Sequence, residues 1–264
     1  MAYCEGIKPP RSYVPRDDFE KRRNYFVEKK HGPLSDVIGK HETISIFYQA
    51  GHFVSFLNHL TTFDAVKIYI ASYHRDGMPE VPADHGDRLT LIYAPADSTP
   101  SGHVDRGEYF IMNPRAVHRP INKRLASEWV RNYQDRKLPV LTAITQLDSD
   151  TKSILYTKDL LLGIKTEIEC QGATGVRVYF SSYTESENSS VNTDLKKRLI
   201  IQFKLTERIQ GIEQEFYLED RPGWKDRIKL PLNEPEFKLK PGQILSLDTG
   251  SPCPPAECNS SLPE

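Results

Sequence analysis

The sequence predicts an α+β protein built from two tandem strand–helix–strand–strand modules, with a mainly antiparallel sheet and helices on one face. The first observation is a stretch that occurs twice: residues 65–73 (AVKIYIASY) correspond to residues 175–183 (GVRVYFSSY), 110 positions later. In both copies fourteen loop residues follow, and a second aliphatic run then begins at Arg88 or Arg198. Apolar and polar residues alternate in these runs, as is typical of half-buried strands, so each copy predicts a hairpin.

The second observation is a further match upstream of each hairpin. Residues 46–48 match residues 154–156, and each triplet is followed by apolar residues spaced along one face of a helix. Thr157 is a suitable N-cap for the second of these helices. The two modules are therefore expected at 41–97 and 151–206.

The remaining segments are expected to complete one compact domain around the modules. An arm and a helix occupy 1–40, and Asp17 and Asp18 near the start and Lys29 and Lys30 near the end suit the helix dipole. Gly32 and Pro33 should stop this helix. The other segments are a connector at 98–150 with a helix near 123–134, and short strands near 215–218 and 243–247 before a Pro/Cys tail, within 207–264.

The charge and apolar pattern exclude several classes of partner. Lys and Arg number 35 against 36 Asp and Glu, and a net charge of −1 argues against broad electrostatic capture of nucleic acid. The N-terminus lacks the apolar core of a signal peptide, and no apolar run approaches the length of a membrane span. Four cysteines are too few for a disulfide scaffold. We therefore expect a soluble cytoplasmic protein with mostly reduced thiols and no membrane partner.

The hairpin pattern at 175–183, followed by a polar loop, an aliphatic strand and the tail Cys253-Pro-Pro-Ala-Glu-Cys258, resembles a loose group of uncharacterised bacterial proteins of the Bacteroidota type. The resemblance covers the two modules and the tail. It supports the module as a structural unit. Since no activity is known for the group, the resemblance implies neither a chemistry nor a cofactor.

One face of each predicted hairpin combines tyrosines with basic residues. The alternation places these side chains on it: Lys67, Tyr69, Tyr73 and Arg88 in the first module, and Arg177, Tyr179, Tyr183 and Arg198 with Gln202 and Lys204 in the second. Such a face could bind a ligand, because tyrosine stacks on flat groups while Lys and Arg hold phosphate or carboxylate. Alternatively, the tyrosines pack across the strands beneath the connector or the 207–248 region.

Two further groups of residues could bind metal. His74, Asp76 and His85 lie in the first hairpin loop, whereas the second loop contains no histidine. Their spacing matches no established ligand pattern, so an ordinary solvated loop is the alternative. Cys253 and Cys258 could form a disulfide or half of a zinc site, or remain unpaired thiols in a stiff tail.

The chain contains no Gly-rich phosphate loop, no Gly-x-Ser-x-Gly elbow and no His-Glu-x-x-His sequence. The leading hypothesis is a non-enzymatic binding or scaffolding protein, whose partner is an unknown protein or a small anionic ligand at the tyrosine and basic face or between the modules. One alternative is an enzyme that acts on a small anionic substrate through Arg177, Arg198 and Tyr179, together with a His or Asp of the loop at 74–87. The other is a nucleic-acid-binding protein. The sequence identifies no cofactor.

Overall fold

The α+β class is confirmed by the computed structural model, which describes residues 13–74, 83–100, 102–112, 118–186, 195–221, 224 and 251–252. All strand pairs within these residues are antiparallel. The helices are α1 (Arg16–Phe26), α2 (Gly32–Ile38), α3 (Ala50–Leu60), α4 (Lys123–Arg136), α5 (Leu138–Thr145) and α6 (Lys158–Cys170). The strands are β1 (Ser45–Gln49), β2 (Ala65–Ser72), β3 (Leu89–Thr99), β4 (Gly102–Asp105), β5 (Tyr109–Ile111), β6 (Arg119–Ile121), β7 (Ser153–Thr157), β8 (Gly175–Ser182), β9 (Leu199–Ile209), β10 (Ile212–Glu215) and β11 (Ser251–Pro252).

The N-terminal helix continues past the residues that were expected to stop it. A π-helical turn over Val27–His31 connects α1 to α2, and Pro33 lies in the first turn of α2. Proline is tolerated there because the first N–H groups of a helix have no intrahelical acceptor. The helical segment ends at Gly39, which adopts the left-handed conformation with φ of 66°. The predicted stop at Gly32 and Pro33 was therefore wrong.

The strands form two sheets, and the modules exchange their first strands between them. The smaller sheet has the order β1-β8-β9-β10, and the larger has the order β11-β7-β2-β3-β5-β6, with β4 also paired to β3. Strand β1 of the first module thus pairs with β8 of the second, and β7 of the second pairs with β2 of the first. The registers correspond, since Tyr48 lies opposite Val176 and Tyr156 lies opposite Val66. Each sheet therefore contains strands from both modules.

The same order of elements occurs twice along the chain. Helices α1 and α2 precede β1, and α4 and α5 of the connector precede β7 in the same way. Strand β4 pairs with β3 as β10 pairs with β9, and the paired residues differ by 110 positions. The duplication stays a prediction. If the chain is duplicated, the repeated order of helices and strands would extend beyond the modules at 41–97 and 151–206.

Both faces of each hairpin are covered. Val66, Ile68 and Ile70 enter a core shared by both sheets and helices α3 and α6, as the alternation predicts. On the opposite face of the larger sheet, Tyr69 packs with Trp129 of α4. Helix α1 packs against β8 of the smaller sheet. Helices therefore lie on more than the single face that was expected.

Two buried ion pairs connect the helices to the hairpins at corresponding positions. The Lys30 ammonium lies 2.7 Å from the Asp150 carboxylate, and Lys137 pairs with Glu42. Asp150 also accepts the backbone N–H of Leu199 at 2.7 Å, and Glu42 accepts that of Leu89 at 2.6 Å. Glu42 precedes β1 and accepts from the start of β3, and Asp150 precedes β7 and accepts from the start of β9. Neither ion pair was predicted from the sequence.

Three other expectations concern the chain ends and the membrane. The strand expected at 215–218 was wrong in position, because β10 ends at Glu215 and a 3-10 turn follows at Leu218–Asp220. The strand expected at 243–247 lies outside the described residues. In the described ranges no helix combines the length and apolarity needed to cross a bilayer. Cys170, at the end of α6, is disulfide-bonded, so the expectation of reduced thiols was wrong for this residue.

Candidate binding pocket at Lys204

The tyrosine and basic face of the first module lies beneath helix α4. Tyr69 is fully buried and its hydroxyl donates to the carboxylate of Asp105, while the Lys67 ammonium lies 3.8 Å from the same carboxylate. Tyr73 packs edge-on against Trp129 with ring centroids 4.9 Å apart. Arg88 is half-buried. These side chains thus belong to a covered interface rather than to an open surface.

The corresponding face of the second module is covered by helix α1. The Tyr179 hydroxyl donates to Glu215 at 2.5 Å, and Arg177 approaches the same carboxylate at 2.8 Å. Burial, and then Glu215, raise the pKa of Tyr179, so its phenol is a hydrogen-bond donor at neutral pH. The other two predicted residues are also buried: Tyr183 stacks with the guanidinium of Arg22, and Arg198 donates to the Ser149 carbonyl at 2.6 Å.

The burial favours the packing interpretation for most of this set. Tyr69, Tyr183 and Arg198 make contacts that hold helices and loops onto the sheets, and a ligand would have to displace those elements to reach them. Arg177 and Tyr179 are different in one respect, because each contacts a residue that lines a cavity in the described structure: Tyr179 meets Phe19 edge to face. The strand β9 partner of Arg177 is Lys204.

The predicted metal residues are not assembled into a site by the described residues. His74 is exposed, and His85 is half-buried with its ring nitrogen 3.9 Å from Asp84. Asp76 lies outside the described residues. Among those that are described, no three His, Cys, Asp or Glu side chains are grouped as a metal would require. Cys253 and Cys258 also fall outside the described ranges.

A cavity of about 60 Å³ lies at the edge of the smaller sheet, where β10 ends. It lies between the start of α1, helix α6, strand β9 and the segment that follows β10. Its walls are mainly aromatic and aliphatic, and these residues form them: Tyr13, Val14, Phe19, Ile164, Glu167, Phe203, Lys204, Leu205, Phe216, Tyr217 and Leu218. An apolar concave site with a few polar groups is the usual form of a small-molecule site.

Lys204 contributes the basic group of this cavity. The residue is only 4% exposed, and its amine has no hydrogen-bond acceptor within the described residues. The nitrogen lies over the ring of Tyr217 and 5.0 Å from the ring centroid of Phe19, and those two rings meet edge to face. Aromatic faces attract an ammonium group, but they replace only part of the hydration that it loses on burial.

The surroundings of Lys204 lower its pKa to about 7, and burial is the largest cause. The carboxylates of Glu215 and Glu20 act in the opposite direction, whereas the guanidinium groups of Arg16 and Arg23 add to the effect of burial. At neutral pH the amine and ammonium forms of Lys204 are therefore present in comparable amounts. The ammonium form of such a lysine can hold an anion, and the neutral amine form can act as a nucleophile.

The amine is specific to the second module. Lys204 pairs with Arg177, and the corresponding pair in the first module is Ala94 with Lys67. In the first module Ala94 packs with Tyr109 and Trp129, and these large side chains occupy the face. The two modules therefore present different chemistry on corresponding faces.

The sequence contained only part of the signal for this site. Alternation placed Lys204 on the same face as the tyrosines, but nothing local distinguished it from the other basic residues. Its environment depends on Phe19, far away in the chain, and on Tyr217, which falls in a region that was predicted as strand.

The chain matches no protein-family model, no curated protein and no solved structure.

Proposed function

We propose that the protein binds a small, largely apolar carboxylate in the cavity, with the ligand's acidic group at Lys204. The observation that carries this proposal is a buried amine, without a hydrogen-bond acceptor among the described residues, on the wall of an aromatic cavity. A buried ammonium group without an acceptor is costly, and a carboxylate would supply a charge-assisted hydrogen bond. This is the small anionic ligand of the leading sequence hypothesis, bound at the β9 side of the predicted face.

The cavity walls define the rest of the ligand. Phe19, Phe203, Leu205 and Phe216 provide apolar contact, so a hydrocarbon portion would be favoured over a second charge. Glu167 also lines the cavity and would repel a second acidic group. A volume of about 60 Å³ holds on the order of four water molecules, so the ligand is a short-chain acid or the acidic end of a longer one.

Titration calorimetry with propionate, butyrate and benzoate tests this proposal. For the best of these acids we expect a Kd on the order of 1 mM, which is reasonable for so few ligand atoms. The affinity should fall as the pH rises above 7, because the ammonium form of Lys204 is lost.

The matched variants are Lys204→Met and Lys21→Met. Lys21 lies on the exposed side of α1 and serves as the control for the loss of one positive charge. We expect Lys204→Met to weaken binding at least tenfold and Lys21→Met to leave it unchanged. Equal affinity in the wild-type protein and Lys204→Met would contradict the proposal.

A further inference from the structure

We infer that the Lys204 amine also captures small aldehydes and ketones as an imine, which makes the cavity a carbonyl-binding site. The inference rests on the proposed function in one respect, because both require that a ligand enters this cavity. It is carried by geometry: the amine is 4% exposed, lies on the cavity wall and has no hydrogen-bond acceptor among the described residues.

Lys204 differs from the other buried lysines of the described residues, Lys30, Lys67 and Lys137, because each of those is paired with a carboxylate. Lys30 donates to Asp150 at 2.7 Å and to the Lys197 carbonyl at 2.6 Å, and Lys137 is paired with Glu42. Burial also lowers the pKa of Lys30, and it lowers that of Lys137 to about 7. Neither of these residues lines the cavity, so a carbonyl compound held there would meet the Lys204 amine. Lys204 is instead surrounded by aromatic rings, and a lysine in an apolar pocket is activated as a nucleophile.

Charged groups on two elements also act on this amine, and a third element adds a carboxylate to the cavity wall. Glu20, Arg16 and Arg23 lie on α1, Glu215 lies on β10, and Glu167 of α6 lines the same cavity. The resulting pKa of about 7 leaves a large fraction of Lys204 unprotonated at neutral pH. An ordinary exposed lysine has about a thousandfold less free amine at that pH.

The reaction is balanced without any oxidant or reductant. The nitrogen lone pair of Lys204 attacks the carbonyl carbon, a C–N bond forms, and the C=O π pair moves to oxygen. Transfer of a proton from nitrogen to oxygen gives a carbinolamine, and loss of water then breaks the C–O bond and leaves the C=N bond. The Glu167 carboxylate on the cavity wall can accept a proton from the nitrogen and return it to the oxygen that leaves as water. Hydrolysis of the imine reverses these steps and releases the carbonyl compound.

Reductive trapping tests the inference on the full-length protein. Propanal is added at pH 7 with sodium cyanoborohydride, which supplies the hydride that reduces an imine to a stable secondary amine, and modified lysines are located by peptide mass spectrometry. The exposed side chains of Lys21 and Lys123 serve as internal references in the same sample. We expect Lys204 to be modified at least tenfold faster than either, and this preference to decrease at pH 9.5 as the reference amines lose their protons.

The outcomes separate this inference from the proposed function. Preferential modification of Lys204 supports the inference, whether or not carboxylates bind. Carboxylate binding that depends on Lys204, with propanal modification no faster than at Lys21, would overturn imine capture and leave the proposed function standing. If neither occurs, the cavity does not admit these ligands and both are refuted.

Discussion

Replacing Lys204 with Met removes the amine and retains most of the side-chain volume. Because burial lowers the pKa of Lys204 from 10.5 to about 7, the folded protein binds fewer protons here than the unfolded chain at every pH between these values. The free energy of unfolding of the wild-type protein should therefore rise with pH across this window. The Lys204→Met variant lacks this contribution.

The size of the effect follows from the two pKa values. Linkage between 10.5 and about 7 gives a gain of about 2 kcal/mol for the wild-type protein between pH 7 and pH 9. We expect Lys204→Met to be the more stable protein at pH 7, since an uncompensated buried charge has been removed. The difference in the free energy of unfolding between Lys204→Met and the wild-type protein should then shrink by about 2 kcal/mol by pH 9. Below about pH 6 the curves should run nearly parallel, because the amine is then protonated in both states.

Urea unfolding followed by circular dichroism at pH 6, 7, 8 and 9 measures this difference directly. Lys21→Met again serves as the control, since Lys21 is exposed on α1. Its unfolding free energy should follow the wild-type profile. If the profiles of the wild-type protein and Lys204→Met stay parallel from pH 7 to pH 9, the amine keeps its proton in the folded state, and Lys204 is not an activated lysine.

Two further predictions concern what holds the modules together. Asp150→Ala removes the acceptor of Lys30 and should lower the free energy of unfolding by about 3–5 kcal/mol, because an ammonium is left buried. Adding Lys30→Met should recover part of this loss in urea unfolding, and a double variant no more stable than the single one would argue against the pair. The halves 1–112 and 113–264, produced separately, should lack a cooperative thermal transition and regain one when mixed, because each half supplies a strand to the other's sheet. A cooperative transition in either half alone would show that the exchange is not required.

Local periodicity was sufficient to predict the hairpins and their faces. Val66, Ile68 and Ile70 lie in the shared core, and Tyr69 and Ala71 lie on the opposite face, as the alternation required. Helix α4 was also predicted at its observed position, and Asn122 caps it by accepting the N–H of Leu125. These features depend on residues within a few positions of one another, so a single sequence contains them.

The connector shows where the sequence argument was incomplete. Its second helix, α5, was not predicted, and neither was its correspondence with α2. The positions that the two segments share are few and separated by dissimilar residues, such as Lys30 with Lys137 and Leu34 with Leu141. The correspondence of α2 and α5 is shown by the ion pairs of Lys30 with Asp150 and of Lys137 with Glu42, which the sequence alone does not reveal.

By itself, then, the sequence determined the class of the fold, the two hairpins, the face on which each strand residue lies and the presence of basic residues among the tyrosines. Tertiary structure decided which of those faces are covered, which sheet receives β1 and β7, and which buried lysine of the described residues lies on a cavity wall without a hydrogen-bond acceptor. The physical reason is that the period of a strand is local, whereas burial and charge depend on residues far away in the chain. Lys204 illustrates the difference. The rings of Phe19 and Tyr217 surround its amine, whereas the amine of Lys67 lies 3.8 Å from the carboxylate of Asp105.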